Sequence, residues 1–566
     1  MTTPLKLKSE RVGKGPLATD RPFISALVDT GVLHLDSPYS YVLPAKVNVE
    51  PGDWVSVPFN GRNLQGLVVE RGDTPITGKL LTINRQVKGP YISPSHLNFY
   101  QAVARRWAVP VFDVLRFTSK YRNIKEEQPR PTESKRGYVQ LSASNNEITE
   151  VIQFAKTISK KGRTLLVIPE ARLLPYFEGF DFEVGMRGSI LTPESFSNIL
   201  ILREESENLY ELKSPGFNVR DVALLRNEIL HESIYFLGYS PSIEMTRLIE
   251  MGFIPAKRVK SKVSVKAAQS NQGELIPSKF FKTAKDFISK GTLLVIAPSK
   301  GYGLAISCAS CRNIATCTCG GKLSKRSKTA DPACVICGLV YPNWRCTHCH
   351  SERIYLLGRG IERIAEEFGK TFRSIPIHIA TAEKEIDDVV KKGSVVIATI
   401  GAAPIQNYSA VLFLDGLHLT SDLRTEERYL STLFRYAAMA NGNALVVQRP
   451  EHPAISALTS WNSFGYLNRL IRDLKEVKLP PHTRHALLKV EKEESGRIAN
   501  GLLAAIREDR LPADSRVIQI SDDVISLFFP IKSGAVTTEF LYQFQKRRSM
   551  SGKQLLKMRI DPYLLG

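Results

Sequence analysis

All eight cysteines of this chain lie in one short stretch, between Cys308 and Cys349. They form four close pairs, and three of these pairs have the Cys-x-x-Cys spacing that lets both thiolates of a turn reach one metal ion. Cysteines buried singly as small hydrophobes would not cluster in this way, and disulfides are disfavoured because the chain shows no export signal. The stretch therefore predicts a small zinc-bound module.

A nested arrangement of the four pairs keeps the ligands of each ion on facing hairpins. The outer site would then use Cys308, Cys311, Cys346 and Cys349, and the inner site would use Cys317, Cys319, Cys334 and Cys337. Cys319 has the least regular spacing, because one residue separates it from its neighbour. His348 and His350 are alternative ligands beside the last pair. We expect two zinc ions per chain, since four thiolates close one tetrahedral site.

Net charge indicates the kind of partner. The chain carries 77 Lys and Arg against 56 Asp and Glu, a formal charge of +21. A surplus of this size favours a polyanion such as nucleic acid, although a basic surface kept for solubility is the alternative. No apolar run reaches the roughly 18 residues of a membrane span, so no membrane partner is expected. Residues 1–21 lack the apolar region of a signal peptide, which together with reduced thiols predicts a cytoplasmic location. The chain is also expected to be a monomer.

Two patterns of apolar residues divide the chain. Short strands punctuated by Gly and Pro follow a flexible basic tail at 1–20 and predict a small β-barrel over 21–93. Helical spacing from Pro94 to Phe117 then gives way to a polar stretch, so residues 94–137 are interpreted as a helix and linker.

From residue 138 onward, continuous aliphatic strands alternate with helices, which is typical of parallel sheets covered on both faces. The alternation predicts two α/β lobes, at 138–290 and 291–450, with the cysteine module at 307–352 inserted in the second. A Lys-rich stretch, residues 256–272, is interpreted as a solvated or DNA-facing connector. Residues 451–566 have strands of their own and are predicted to form a C-terminal α/β domain.

Several motifs carry a resemblance to a known family. They are Tyr39-Ser-Tyr-Val-Leu-Pro44 with Pro51-Gly-Asp-Trp-Val-Ser-Val-Pro-Phe59, Gly358-Arg-Gly-Ile-Glu-Arg363, Glu451-His-Pro-Ala-Ile455, Leu479-Pro-Pro481, Ile560-Asp-Pro562 and the cysteine pairs. Together with two lobes and a double zinc insertion, they resemble the bacterial replication-restart family PriA, also called primosomal protein N′. The resemblance covers nearly the whole chain from about residue 22.

The resemblance implies a multidomain α/β fold. It comprises an N-terminal 3′-DNA-binding β-barrel domain, a winged-helix-like remnant, two RecA-like helicase lobes with the zinc insertion, and a C-terminal domain. The family's Phe-Asp-Tyr tripeptide, which holds a 3′ end, aligns with Tyr39, Ser40 and Tyr41. Ser40 lacks the carboxylate that would accept from a 3′ hydroxyl, whereas the rings can stack on a base or pack within the barrel. Arg62 and Lys79 are candidate phosphate contacts.

The ATP-binding motifs of that family are degenerate here. Its Gly-Ser-Gly-Lys-Thr-Glu-Val loop aligns with Asn145-Asn-Glu-Ile-Thr-Glu-Val151, which lacks both glycines, and Ile148 replaces the lysine. Glu147 adds a negative charge, and only Thr149 remains as a magnesium ligand. The Asp-Glu-Glu-His box reads Arg203-Glu204-Glu-Ser206, so a cation replaces the carboxylate that holds magnesium.

Two further losses lie in the second lobe. The finger segment aligns with Arg435 to Gly442, where Met439 and Gly442 stand in place of its arginines, and the Lys-Gly-His-Asp stretch reads Pro404-Ile-Gln-Asn407. Phosphoryl transfer depends on such charges, so ATP is not expected as a working cofactor and no catalytic residue is assigned.

The resemblance and the degenerate motifs together predict a protein without helicase activity of its own. It would bind stalled or abandoned replication forks and promote primosome assembly and reloading of the replicative helicase. Its expected partners are forked and single-stranded DNA, primosome components, the replicative helicase or its loader, and single-strand-binding protein. Two alternatives remain open at this point. One is an active ATP-dependent 3′-to-5′ DNA helicase with divergent motifs, and the other is a zinc-ribbon nucleic-acid-binding protein of unrelated role.

Overall fold

The structure, a computed structural model, describes residues 16–73, 80–121, 134–271, 274–298, 305–311, 313–318, 322–325, 329–334, 338–357, 361–386, 389–415, 417 and 423–564. Four sheets of four or more strands organise these residues. No helix in the described ranges is both long enough and apolar enough to cross a bilayer.

An N-terminal sheet of six short strands forms first. Its strands are β1 (Phe23–Val28), β2 (Pro38–Val42), β3 (Trp54–Phe59), β4 (Arg62–Gly72), β5 (Leu81–Thr82) and β6 (Arg85–Val87), in the order β5-β2-β1-β4-β3-β6. Since β5 pairs with β2 while the next strand along the chain, β6, pairs with β3, one segment joins both edges of the sheet. The sheet thereby curls around its own apolar core as the small barrel that the sequence predicts.

The helical stretch that follows is broken once. α1 (Pro94–Trp107) is capped by Ser93 and buries the face of Phe99, Val103 and Trp107, and α2 (Val111–Leu115) follows it. The prediction of one helix to Phe117 is wrong, because Ala108 adopts a left-handed φ of 55° and Pro110 disfavours helical geometry in the residue before it.

The first parallel sheet occupies the centre of the chain. Its strands and helices are β7 (Arg136–Gln140), α3 (Glu147–Ser159), β8 (Thr164–Val167), α4 (Leu174–Phe177), β9 (Glu183–Gly185), β10 (Asn198–Leu202), α5 (Val219–Leu230), β11 (Ser233–Gly238), α6 (Ile243–Glu250) and β12 (Ala256–Lys257). The strand order is β12-β7-β11-β10-β8-β9. All residues of β10 are buried, as expected for a strand covered on both faces.

The chain segment that forms the second parallel sheet contains a small cysteine-rich module as an insertion. Its elements are β13 (Ser264–Ala268), α7 (Phe281–Lys290), β14 (Leu293–Ala297), α8 (Ile361–Thr371), β19 (Ile377–Ala380), β20 (Val395–Thr399), β21 (Ala410–Phe413), α9 (Thr425–Met439) and β22 (Asn443–Val447), with the module's β15 (Ala305–Cys308), β16 (Leu323–Ser324), β17 (Ala333–Cys334) and β18 (Ile354–Leu357) between β14 and α8. The order is β13-β22-β21-β14-β20-β19.

The Lys-rich connector is therefore not wholly irregular, and the boundary of the second lobe at 291 is too late. Residues 256–257 form the edge strand β12 of the first parallel sheet, and Ser264–Ala268 form the edge strand β13 of the second. The half-buried Val265 and Ala267 alternate with exposed residues in β13, a pattern that the basic residues just before the strand concealed.

The C-terminal part has two roles. α10 (Pro453–Thr459) and α11 (Ser463–Glu476) pack into the core shared by the two parallel sheets, so they do not belong to a separate domain starting at 451. A four-stranded antiparallel sheet in the order β24-β25-β23-β26 begins only at residue 483; its elements are β23 (Thr483–Lys489), α12 (Lys492–Arg507), β24 (Arg516–Ser521), β25 (Val524–Pro530), α13 (Gly534–Met550) and β26 (Lys557–Ile560).

Candidate functional site

The loop between β7 and α3 lies at the carboxyl end of a parallel strand, where α/β proteins bind phosphate. Here Asn146 is the N-cap of α3, and its Oδ1 accepts from the backbone N–H groups of Ile148 at 2.9 Å and Thr149 at 3.4 Å. A side-chain oxygen therefore takes the helix N–H groups that a phosphate would use. The side chains of Asn145 and Thr149 are exposed.

Other protein groups take further amides of the same loop. The N–H of Ser142 donates to Glu150 at 3.0 Å, and that of Ser144 donates to the hydroxyl of Ser142 at 3.1 Å. The N–H of Ala143 donates at 3.0 Å to the hydroxyl of Ser261, which comes from the connector. The loop is thus held in place by its own neighbours rather than open to an anion.

Arg203 follows β10 and lines the cleft that lies between the loop before α3 and α9 of the second parallel sheet. It is only 3% exposed and adopts a left-handed φ of 53°, a geometry that costs about 1–3 kcal/mol in a residue other than glycine. Its guanidinium pairs with Glu147 at 2.9 Å and with Glu170 at 2.8 Å. Glu147 and Arg203, two of the residues that depart from the aligned motifs, therefore compensate each other, because the guanidinium of one pairs with the carboxylate of the other.

Glu170 extends this cluster into the second parallel sheet. Besides Arg203, it accepts from Arg172 at 2.7 Å and from Arg435 of α9 at 3.0 Å, and Arg172 also donates to the carbonyl of Ala403 at 2.8 Å. Burial alone would raise the pKa of Glu170, yet the three guanidinium groups hold it well below its usual range. We call Glu147, Glu170, Arg172, Arg203 and Arg435 the cleft cluster.

Little space remains between the two sheets at the cleft cluster. The cavity there measures about 30 Å³, and its lining includes Asn146, Ile148 and Met439. Pockets that hold small-molecule ligands measure roughly 300–1,000 Å³. In this arrangement the cleft has no room for a nucleotide.

Glu204, the carboxylate next to Arg203, has a different partner. It is 1% exposed, accepts from the N–H of Ser242 at 2.7 Å and from its hydroxyl at 2.9 Å, and so anchors the start of α6. Burial raises the pKa of Glu204. Burial and the adjacent carboxylate of Glu204 also raise the pKa of Glu205 to about 8.

A second buried set of ion pairs also joins the two parallel sheets. Arg424 pairs with Glu244 of α6 at 2.5 Å and with Glu427 of α9 at 3.0 Å, and Glu427 accepts from the N–H of Ile243 at 3.1 Å. Ionic contacts therefore cross between the sheets at two places, and a continuous apolar core joins them as well.

The end of the predicted finger segment has a structural role. Gly442 has a φ of 80°, and a Cβ built there would lie 2.9 Å from the carbonyl oxygen of Lys262 in the connector. The N–H of Ser264 donates to the carbonyl of Gly442 at 2.8 Å. This glycine is therefore required where the connector passes over the turn before β22.

The four outer cysteines of the module come together. Cys308, Cys311, Cys346 and Cys349 place their sulfurs within 4.8 Å of one another, with the closest pairs at 3.4 and 3.5 Å. Thiolates at about 2.3 Å around a tetrahedral ion lie roughly 3.8 Å apart, so this donor set fits a zinc ion. The backbone N–H of Ser310 also donates to the sulfur of Cys308, as is common around metal-bound thiolates.

The inner site is only partly within the described residues. Cys317 and Cys334 are buried in the small core of the module, and the hydroxyl of Tyr341 donates to the sulfur of Cys317 at 3.1 Å. Cys319 and Cys337 lie outside the described residues, so a second ion stays a prediction. His348 and His350 are exposed and do not take part in the four-sulfur cluster.

The predicted DNA-binding residues of the N-terminal sheet differ in exposure. Tyr41 is 2% exposed and Ser40 5%, and the hydroxyl of Tyr41 points at the carbonyl of Pro58. Tyr39 is half-buried, and its ring packs edge-on against Phe59. Arg62 is exposed directly after the Asn60–Gly61 turn, and Lys79 lies outside the described residues. Of the side chains in this set that the structure describes, Arg62 and Tyr39 are the ones that a ligand can reach.

Sequence reasoning missed Glu170, Arg172, Asn146 and Ser261. Their contacts join residues that are far apart in the chain, so no local spacing marks them. One signal was available, since Glu147 and Arg203 have opposite charges in two neighbouring motifs of one lobe.

The fold and site define a multidomain α/β protein with an N-terminal β domain, a closed cleft between two parallel sheets, and a four-thiolate site. Residues 27–119 match the family model for the PriA 3′DNA-binding domain (3′BD), a range that runs past residue 93 and through α1 and α2. Along most of its length the chain is similar to proteins named PriA.

Several proteins named PriA align with this chain over most of its length. Proteins named "Probable replication restart protein PriA" from Mycobacterium bovis and Mycobacterium tuberculosis are 26% identical over 585 residues, covering 85% of this chain and 89% of the relative. "Replication restart protein PriA" of Rickettsia felis is 21% identical, covering 83% of this chain and 88% of the relative. The protein of the same name from Haemophilus influenzae is 23% identical, covering 56% of this chain and 48% of the relative.

Proposed function

We propose that this chain acts in replication restart as a DNA-binding protein that recognises abandoned or stalled replication forks and promotes primosome assembly. The match of residues 27–119 to a 3′DNA-binding domain supports the DNA-binding role, and the names of the long-aligned relatives support the replication-restart role. The net charge of +21 adds a sequence-independent attraction to phosphate.

We further propose that the chain performs this role without turning over ATP. The observation that carries this part is the occupied cleft. Asn146 caps the helix N–H groups that would receive a phosphate, and Arg203 binds Glu147 and Glu170 where a magnesium ion and phosphates would lie. Phosphoryl transfer needs a lysine and a carboxylate-held metal ion at these places. The two parallel sheets then serve as a fixed frame for the DNA-binding domain and the cysteine module.

The four-cysteine cluster is proposed as a structural zinc site, because all four positions around the ion are supplied by thiolates and no position is left for substrate. A second ion, bound by Cys317, Cys319, Cys334 and Cys337, is proposed on spacing alone. The helicase loader, the replicative helicase and single-strand-binding protein are the partners that such a role implies.

The test is a pair of measurements on the purified full chain. Affinity is measured for a fork, a blunt duplex, a single strand and an RNA of equal length, and helicase reloading onto a fork is assayed with the other primosome proteins present. We expect tightest binding to the fork and reloading that depends on this chain. Equal affinity for all four nucleic acids, or preference for RNA, would contradict the fork-binding role and favour an unrelated nucleic-acid function.

A further inference from the structure

The connector between the two parallel sheets carries a row of cations on its outer side. From 258 to 266 every second residue is exposed, and these are Arg258, Lys260, Lys262, Ser264 and Lys266, which we call the connector strip. The residues between them are half-buried, and Val263 and Val265 pack on the core shared by the sheets. Four of the five outward positions are therefore positively charged.

Nothing nearby in the sequence neutralises this charge. Residues 251–273 contain no Asp or Glu. Within the described part of the chain, no cation of the connector strip forms an ion pair. The ammonium of Lys266 contacts the hydroxyl of Thr283 at 3.2 Å, and the guanidinium of Arg258 lies 4.4 Å from the ring centre of Phe464. Both are neutral partners, so the strip keeps its positive potential.

The connector strip is held on rigid elements. Its first end follows β12, which pairs with β7, and its last residues lie in β13, which pairs with β22. In the middle, the hydroxyl of Ser261 binds Ser142 and Ala143 of the loop before α3. The strip therefore links the edge of one parallel sheet to the edge of the other, and a fully extended chain from 258 to 266 reaches roughly 26 Å at about 3.3 Å per residue.

We propose that the connector strip binds the sugar-phosphate backbone of a single-stranded arm of a DNA fork, an inference that rests on the proposed function. Outward-facing residues of an extended segment repeat about every 6.6 Å, close to two phosphate spacings of about 3.4 Å along one stacked strand. The strip is one side chain wide, so it fits one strand better than the two backbones of a duplex. Lysines bind phosphate as point charges without reading sequence.

The experiment compares three variants with the wild-type chain, on forks with and without a long single-stranded arm. The test protein carries Lys260→Gln, Lys262→Gln and Lys266→Gln, the same three positions changed to Arg give a charge-preserving variant, and a matched control carries Lys475→Gln, Lys532→Gln and Lys553→Gln at exposed sites in the C-terminal part. Affinity is measured between 50 and 200 mM salt, with a thermal melt to confirm folding.

We expect the Gln variant to lose the extra affinity that the arm provides while its binding to the armless fork stays unchanged. On the armed fork, the slope of log K against log salt should fall by about 2, from about 0.7 for each of three lysines on a single strand. The Arg variant and the matched control should keep the wild-type slope. If instead the slope of log K against log salt falls by about 0.9 for each lysine replaced when the duplex arm is bound, the strip binds duplex DNA and the proposal is wrong.

Other outcomes also decide the matter. If all three variants bind every fork as tightly as the wild-type chain does, or if the Gln variant only aggregates more readily, the lysines protect the sheet edges and the proposal is wrong, while the proposed function still stands. Equal competition by polyglutamate of matched charge would assign the strip to an acidic protein. If the wild-type chain binds no fork at all, it is the proposed function that fails.

Discussion

Replacing Glu170 with Gln tests the cleft cluster most severely. The substitution keeps the shape of the side chain but removes the one negative charge that Arg172, Arg203 and Arg435 share, at distances of 2.7, 2.8 and 3.0 Å. Glu170 has a side-chain exposure of 12%, so the remaining cations would face one another with little solvent between them. Removing one partner of a buried ion pair costs about 3–5 kcal/mol.

A loss of about 3–5 kcal/mol in the free energy of unfolding lowers the thermal midpoint by roughly 6–20 °C, at about 2–4 °C for each kcal/mol. Glu178→Gln is the matched control, because Glu178 is an exposed residue of the same region and should change the midpoint little. The contact between the sheets is isolated by a double-mutant cycle of Glu170→Gln with Arg435→Gln. We expect a coupling of about 1–3 kcal/mol.

A Glu170→Gln chain that melts at the same temperature as the control would show that this carboxylate does not hold the three guanidinium groups together. Additivity of the two substitutions in the cycle to within about 0.5 kcal/mol would refute the contact between the sheets, since independent sites add to that accuracy. In the second case the two parallel sheets would be joined by their apolar core alone.

Three further predictions follow from single sites. Glu205 binds a proton more tightly in the folded chain than in the unfolded chain, because burial and Glu204 raise its pKa to about 8. The free energy of unfolding should therefore fall as pH rises from about 4.5 to 8. Glu205→Gln should make thermal stability depend less on pH across this range, as measured by melting temperatures. Cys346→Ser should release one equivalent of zinc and unfold the module, and retention of the full metal content by elemental analysis would show that another group binds the ion. Arg62→Ala should weaken fork binding by a few-fold and leave the melting temperature unchanged. Tyr41→Ala should lower the melting temperature, since the ring of Tyr41 is in the barrel core. The reverse pattern would make Tyr41 a ligand contact.

Local patterns were enough to predict most strands of the fold. The aliphatic runs ending at Ile296, Ala398 and Leu414 correspond to β14, β20 and β21, because a strand covered on both faces must be apolar throughout. β13 was missed, since an edge strand with one solvated face looks like a charged linker when four of its neighbours are Lys or Arg. Only its period of two could have shown it.

The candidate site could be predicted only in part. The spacing of the cysteines led to the four sulfurs that the structure brings together. The degenerate motifs were visible, but what replaced the missing chemistry was not, because Glu170 and Arg435 are separated by hundreds of residues and meet only when the two sheets pack together. Tyr41 shows the same limit, as a strand residue can face the core or the solvent and sequence alone left both open.

The most direct test of the account is an ATP hydrolysis assay on the purified full chain, with and without forked DNA. We predict phosphate release at the background rate in both conditions, because Asn146 caps the N–H groups of α3 and Arg203 pairs with Glu147 and Glu170 in the cleft where the proposed function would place phosphates and a metal ion. Hydrolysis stimulated by forked DNA, and abolished by Thr149→Ala in a matched preparation, would contradict the account and favour the alternative of an active ATP-dependent helicase.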